Sequence, residues 1–193
     1  MAPGPRAAQL HLRAAGGTGV VRPRGDPPLS GGPPPEGPRY VGVIGPGEAS
    51  AAQCAAALRV GGLLARAGAV VVCGGLGGVM AAVAQGAAEH GGTVVGLLPG
   101  RERAAGNPHL TVALATGLGE LRNGVLVACC DALIAVGGSW GTLSEIALAR
   151  RTGTPVLVLD GWTVAAADGG APRDDVRRVA TAAAGVAAAL AAG

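Results

Sequence analysis

From Tyr40 onward, short apolar runs alternate with longer alanine-rich stretches. Val41–Ile44, Ala69–Cys73, Thr93–Leu98, Asp131–Val136 and Pro155–Leu159 are runs of four to six residues bounded by turn residues. Their lack of polar alternation predicts strands buried on both faces. Leu110–Leu114 and Val176–Thr181 predict two further short strands. Helices are expected from about residue 51 to Ala67 and over Val79–His90, where Val79, Val83 and Ala87 lie four apart. Two more are expected over Leu118–Cys129 and Thr142–Arg151, followed by an alanine-rich closing helix. In Leu118–Cys129, the residues Leu118, Leu121, Val125 and Cys129 form one stripe, expected to face the core. Strands and helices in this rhythm predict an α/β fold, a three-layer sandwich with a parallel sheet of about six or seven strands.

Outside that pattern, residues 1–38 are dominated by Pro, Gly, Arg and Ala and have neither helical nor strand periodicity, so a disordered leader is expected before a domain over 39–193. Pro99–Pro108, polar and ending in Asn-Pro, is expected to be a mobile surface loop.

Charge changes this picture little. The net charge is +3, but residues 1–39 hold five arginines against two acids, and the remainder balances ten arginines against ten acids. With no Phe, one Tyr and two Trp, the neutral domain has neither a phosphate-tracking stripe nor a row of stacking rings, which argues against nucleic acid as a partner. No apolar run reaches the ~18 residues of a membrane span. The four cysteines lack C-x-x-C spacing and lie mostly in apolar runs, which suits a reduced, cytoplasmic protein with Cys129 and Cys130 in the core. His11, His90 and His109 have no metal-site spacing, so no metal is expected.

The chemistry lies in three glycine loops that follow three strands: Gly45-Pro46-Gly47, Gly74-Gly75-Leu76-Gly77-Gly78 leading to Met80, and Gly137-Gly138-Ser139-Trp140-Gly141-Thr142. Loops of this kind at helix starts favour an anion, because free N–H groups and the helix dipole point at it. The chain has no lysine, which excludes a P-loop, and the first turn lacks G-x-G-x-x-G, which argues against dinucleotide binding. Thr142-Leu143-Ser144-Glu145 fits a capping box, with Thr142 as the cap and Glu145 returning a bond. Equally, Glu145 stands one turn beyond Gly141, with its Cβ tilted toward a ligand. Arg122 falls in the first turn of its helix, where a cation opposes the dipole. Its expected counter-anion is Asp131, Glu120 or a ligand phosphate.

Gly137–Glu145 resembles the P-G-G-x-G-T-x-x-E motif of the Lonely-guy (LOG) proteins, once labelled lysine decarboxylases, with Gly137 in place of Pro and Ser139 in place of the second Gly. Gly74–Met80 is similar to that family's earlier glycine loop, and Arg122 stands nine residues before Asp131, as the family's catalytic Arg does. The resemblance spans about residues 40–160. It implies a Rossmann-like homodimer that needs no cofactor of its own and binds a small phosphate-bearing ligand at these loops. It also implies hydrolysis of the N-glycosidic bond of a nucleoside 5′-monophosphate, with Arg122 and Glu145 catalytic. The Gly45-Pro46-Gly47 loop, Thr116–Gly119 and Arg122-Asn123 look closer to a sister branch that includes the molybdenum-cofactor carrier proteins. That branch implies binding of a phosphate-bearing pterin without hydrolysis.

Overall fold

Seven parallel strands form one sheet in the order β4-β3-β2-β1-β5-β6-β7 in the computed structural model, which describes residues 37–162 and 176–192. The strands are β1 Tyr40–Ile44, β2 Val70–Cys73, β3 Val94–Leu98, β4 Val112–Ala115, β5 Ala132–Val136, β6 Val156–Asp160 and β7 Val176–Arg178. The helices are α1 Ala51–Arg66, α2 Val79–Ala88, α3 Arg122–Ala128, α4 Trp140–Thr152 and α5 Ala182–Ala191. The expected Rossmann-like α/β architecture is the one observed. Residues 1–36 of the expected leader over 1–38, and the segment 163–175, lie outside the described residues.

Burial on both faces of the sheet explains the unbroken apolar strands. Every residue of β2 and β5 is buried, as is every residue of β1 after Tyr40. One core cluster joins α1, α2 and α5 to one set of alternate strand positions, including Val41, Val43, Val71, Ile134 and Val136. The other joins α3 and α4 to the opposite set, Ile44, Val70, Val72, Leu133 and Ala135. The α1–α2 contact relies on glycine, since a Cβ on Gly86 would meet the Leu58 carbonyl and one on Gly61 would meet that of Val83. Glycine costs a helix interior roughly 0.5–1 kcal/mol relative to alanine, and here the close approach of two helix backbones offsets that cost.

The chain reverses its direction of travel across the sheet between β1 and β5. The loops after β1, β2 and β5 therefore emerge side by side at the carboxyl ends of the strands, where open α/β sheets bind ligands. The pairing of β5 with β6 slips between Ala135 and Val136, immediately before Gly137, and a register shift of this kind re-aims the loop that follows it.

Two expectations from the sequence do not hold. Gly119–Leu121 forms a single 3-10 turn, so α3 begins only at Arg122 and the phase of its buried face moves. Asn123, Leu126, Val127 and Cys130, at i, i+3, i+4 and i+7, face inward. Leu118, Leu121 and Val125 are 46, 80 and 39 % exposed, and Cys129 is also exposed. The Pro99–Pro108 loop, expected to be mobile, is pinned to the second glycine loop. The Asn107 side-chain amide donates to the carbonyls of Gly75 and Leu76 at 3.1 Å each, and its backbone N–H donates to Gly75 O at 2.9 Å.

Candidate functional site

The three glycine loops enclose a cavity of about 290 Å³ whose floor carries Arg122 and Glu145. Backbone geometry dictates where glycine is needed. Gly78, at φ 60°, starts α2, and a Cβ there would strike the carbonyl oxygens of Pro46 and Gly47, so the first two loops pack backbone to backbone. The bond from Val79 N–H to Pro46 O at 3.1 Å ties the same junction. Gly137 sits at φ 72°, which proline, held near −65°, cannot adopt. Its departure from the P-G-G-x-G-T-x-x-E pattern therefore fits a different loop path, one in which Gly137 packs on the Gln53 side chain.

Ser139, the other departure, has a positive role: it is the N-cap of α4. Its hydroxyl accepts from Thr142 N–H at 3.2 Å and pairs with the Thr142 hydroxyl at 3.0 Å. The expected capping box from Thr142 to Glu145 is therefore absent. With Ser139 as cap, Thr142 takes the third helical position and Glu145 the sixth, too far along the helix to reach the cap. The Thr142 amide is already used, and Thr142 is 1 % exposed. The amides of Trp140 and Gly141, first and second in the helix, have no acceptor within it.

Glu145 is instead a buried carboxyl at the base of the cavity, 5 % exposed and 3.7 Å from the Arg122 guanidinium. The carboxylate partner of Arg122 is neither Asp131 nor Glu120: Asp131 pairs with Arg39 at 3.8 Å and accepts from Tyr40 N–H at 2.8 Å. At 3.7 Å the Arg122–Glu145 pair exceeds hydrogen-bond length, so attraction only partly offsets the cost of burial. Burial pushes the Glu145 carboxyl up from 4.5 to about 7, against the opposing pull of Arg122. The Arg122 guanidinium lies where a side chain on Gly74 would be, since a Cβ there would sit 2.6 Å from both Nη atoms and from the Met80 sulfur. Its Nε is buried and has no hydrogen-bond partner.

The structure thus brings Gly45, Gly47, Gly74, Met80, Arg122, Ser139, Gly141, Thr142 and Glu145 to one cavity. Gly75, Gly77, Gly78, Gly137 and Gly138 belong to the same loops without lining the cavity, and Trp140, also outside its lining, is 78 % exposed. Sequence reasoning passed over Asn123, Glu120 and Pro99, which also line the cavity. Asn123 is buried, and its amide reaches Ser144 Oγ at 3.5 Å, linking α3 to α4. A polar residue at a core-facing helical position was the available signal, and the shifted phase of α3 hid it.

Other features carry less chemistry. A larger cavity of about 450 Å³ lies among α1, β6 and α5, but its lining is mostly alanine and leucine and the second glycine loop does not reach it. Burial pushes the Cys73 thiol up to about 11, which leaves it un-ionised and a poor nucleophile at neutral pH. Among the described residues no group of His, Cys, Asp or Glu could hold a metal ion, and no helix is long and apolar enough to cross a membrane.

Residues 38–186 match the family model of the SLOG cluster4 family. The chain belongs to that family. An uncharacterized protein of Archaeoglobus fulgidus is 45 % identical over 130 residues, which span 64 % of this chain and 85 % of that one. The molybdenum cofactor binding protein of Rippkaea orientalis is 31 % identical, with a TM-score of 0.68 over 76 % of this chain and 91 % of its own. The molybdenum cofactor carrier protein of Chlamydomonas reinhardtii is 30 % identical, with a TM-score of 0.70 over 78 % of this chain and 95 % of its own. The resemblance to the LOG-like superfamily, in the branch of the molybdenum-cofactor carriers, is therefore the correct one.

Proposed function

We propose that this SLOG cluster4 protein binds and carries a phosphate-bearing pterin of the molybdopterin type, without turning it over. One observation carries the reading: a buried guanidinium with an unpartnered Nε, set below glycine loops and beside the N-terminus of a helix. A phosphate would accept from Arg122 and from the amides of Trp140 and Gly141, with Gly45, Gly47 and Gly74 leaving room for it. Glu145, its carboxyl pushed up to about 7 by burial, would in its protonated form present an O–H donor rather than a repelling charge. The named functions of the Rippkaea and Chlamydomonas relatives support a pterin cargo. The four cysteines are all free, which supports a cytoplasmic setting.

A second reading is hydrolysis of a nucleoside 5′-monophosphate to base and ribose 5-phosphate. It is favoured by the finding that Glu145 does not cap its helix, which leaves the carboxylate available to stabilise an oxocarbenium-like transition state or to orient water. One preparation tests both. Protein purified under native conditions from a molybdopterin-producing bacterium should yield a phosphorylated pterin by mass spectrometry, and incubation with AMP should release no adenine. Steady release of adenine with no pterin retained would replace the carrier reading with the hydrolase.

The apolar side chains left outside on Leu118–Val125 support a homodimer through this face. Wild-type protein should elute as a dimer in size-exclusion chromatography with light scattering, and Leu121→Glu, at the most exposed of the three positions, should shift it toward monomer. Wild-type protein that is monomeric at high micromolar concentration would exclude the dimer.

A further inference from the structure

The chain has only two tryptophans, one tyrosine and no phenylalanine, yet both indoles meet on one glycine loop. Trp140 and Trp162 have ring centroids 5.2 Å apart and planes inclined at 43°. Trp162 is fixed to the loop, since its Nε1–H donates to Ser139 O at 3.0 Å. It also occupies the space a side chain on Gly138 would need, because a Cβ there would lie 2.8 Å from the indole ring. Trp140 has no such burial. The residue is 78 % exposed although it sits between two cavity-lining residues, Ser139 and Gly141.

An exposed indole forgoes the burial that normally rewards this side chain. Here it is braced from one side by a second indole that is itself bonded to the loop backbone. A braced aromatic face carried on the loop that lines an anion cavity suits a flat ring attached to that anion. We propose that Trp140, positioned by Trp162, is the stacking platform that selects ligands carrying a planar heteroaromatic ring on a short phosphate-bearing arm. The inference rests on the phosphate site described above and adds to it the part of the ligand that confers selectivity. Trp140 bridges the two halves of such a ligand: its amide faces the anion and its side chain meets the ring. Purines and pterins share this chemistry.

Isothermal titration of the full chain separates the possibilities, with ribose 5-phosphate as the ring-free probe and AMP and 6-hydroxymethylpterin phosphate as the two ring-bearing ones. Wild-type protein should bind at least one ring-bearing phosphate about 10- to 100-fold more tightly than ribose 5-phosphate, the range that one base-aromatic stack supplies. Trp140→Ala, which keeps the backbone amide and removes only the ring, should bring the ring-bearing probes down to the affinity of ribose 5-phosphate, and Trp140→Phe should restore most of the gap. The larger gap identifies purine or pterin. A gap that survives Trp140→Ala overturns the platform and leaves the phosphate site standing. An equal weakening of all three probes, accompanied by dissociation of an oligomer, also overturns it and makes Trp140 an interface residue. Failure of every probe to bind wild-type protein at millimolar concentration removes the phosphate site and the platform together.

Discussion

Replacing Arg122 by Met should raise the Kd for a phosphate-bearing ligand by about 10- to 150-fold, the equivalent of a hydrogen bond to a charged group at roughly 1.5–3 kcal/mol. The guanidinium is the one cation at the cavity that the structure leaves short of a partner. Its Nε makes no hydrogen bond, and Glu145, at 3.7 Å, is too distant to donate to or accept from it. Methionine keeps much of the stem that packs beside Gly74 and Met80, so loss of the charge dominates over loss of volume. The fold should tolerate the change, because Glu145 answers the loss of its cation by holding its proton more firmly. Arg122→Lys should recover only part of the affinity, since an ammonium lacks the planar fork that grips two phosphate oxygens. Titration calorimetry at constant ionic strength, with thermal melts at pH 6 to confirm folding, reads both effects. An unchanged Kd in Arg122→Met would place the anion elsewhere.

The fold was legible in the sequence because a doubly covered parallel sheet needs continuously apolar strands, and Ala132–Val136 is one, buried at every position. The loops were legible for a related reason: glycine clusters after strands mark places where backbone must approach backbone, as Gly78 does against Pro46 and Gly47. Pairing was not. Glu145 fits a capping box in sequence, and only the position of Ser139 in space shows which hydroxyl starts the helix. Arg122 has two acids near it along the chain, Glu120 and Asp131, yet its partner comes from the next helix because Arg39 takes Asp131. The stripe of Leu118, Leu121 and Val125 misled for a helical reason. A 3-10 turn advances 120° per residue rather than 100°, and three such residues rotate the following face toward Asn123 and Leu126.

Glu145→Gln should separate carrier from hydrolase while also testing the state of the buried carboxyl. Burial pushes that carboxyl up to about 7 in the folded protein, from the 4.5 of an unperturbed glutamate that stands for the unfolded chain. Between those values the folded state keeps a proton that the unfolded state has lost. Stability therefore falls as pH rises through this window, by on the order of 3 kcal/mol in all. Glutamine imitates the protonated form at every pH, so the variant should lose this slope and melt several degrees above wild type at pH 8. A wild-type profile flat between pH 5 and 8 would show that Arg122 compensates Glu145 fully. The functional consequence follows from the same proton. An incoming phosphate opposes ionisation of Glu145, so wild-type binding should tighten as pH falls from 8 toward 6.5, and Glu145→Gln should bind at pH 8 at least as well as wild type does at pH 6.5. A carrier with Glu145→Gln would thus keep its cargo. A glycosidase with the same change would keep its ligand too but lose turnover, because a neutral amide cannot stabilise positive charge developing on the ribose. Binding by this variant is therefore retained under either function, and cleavage separates them: only a hydrolase has a wild-type turnover for Glu145→Gln to abolish.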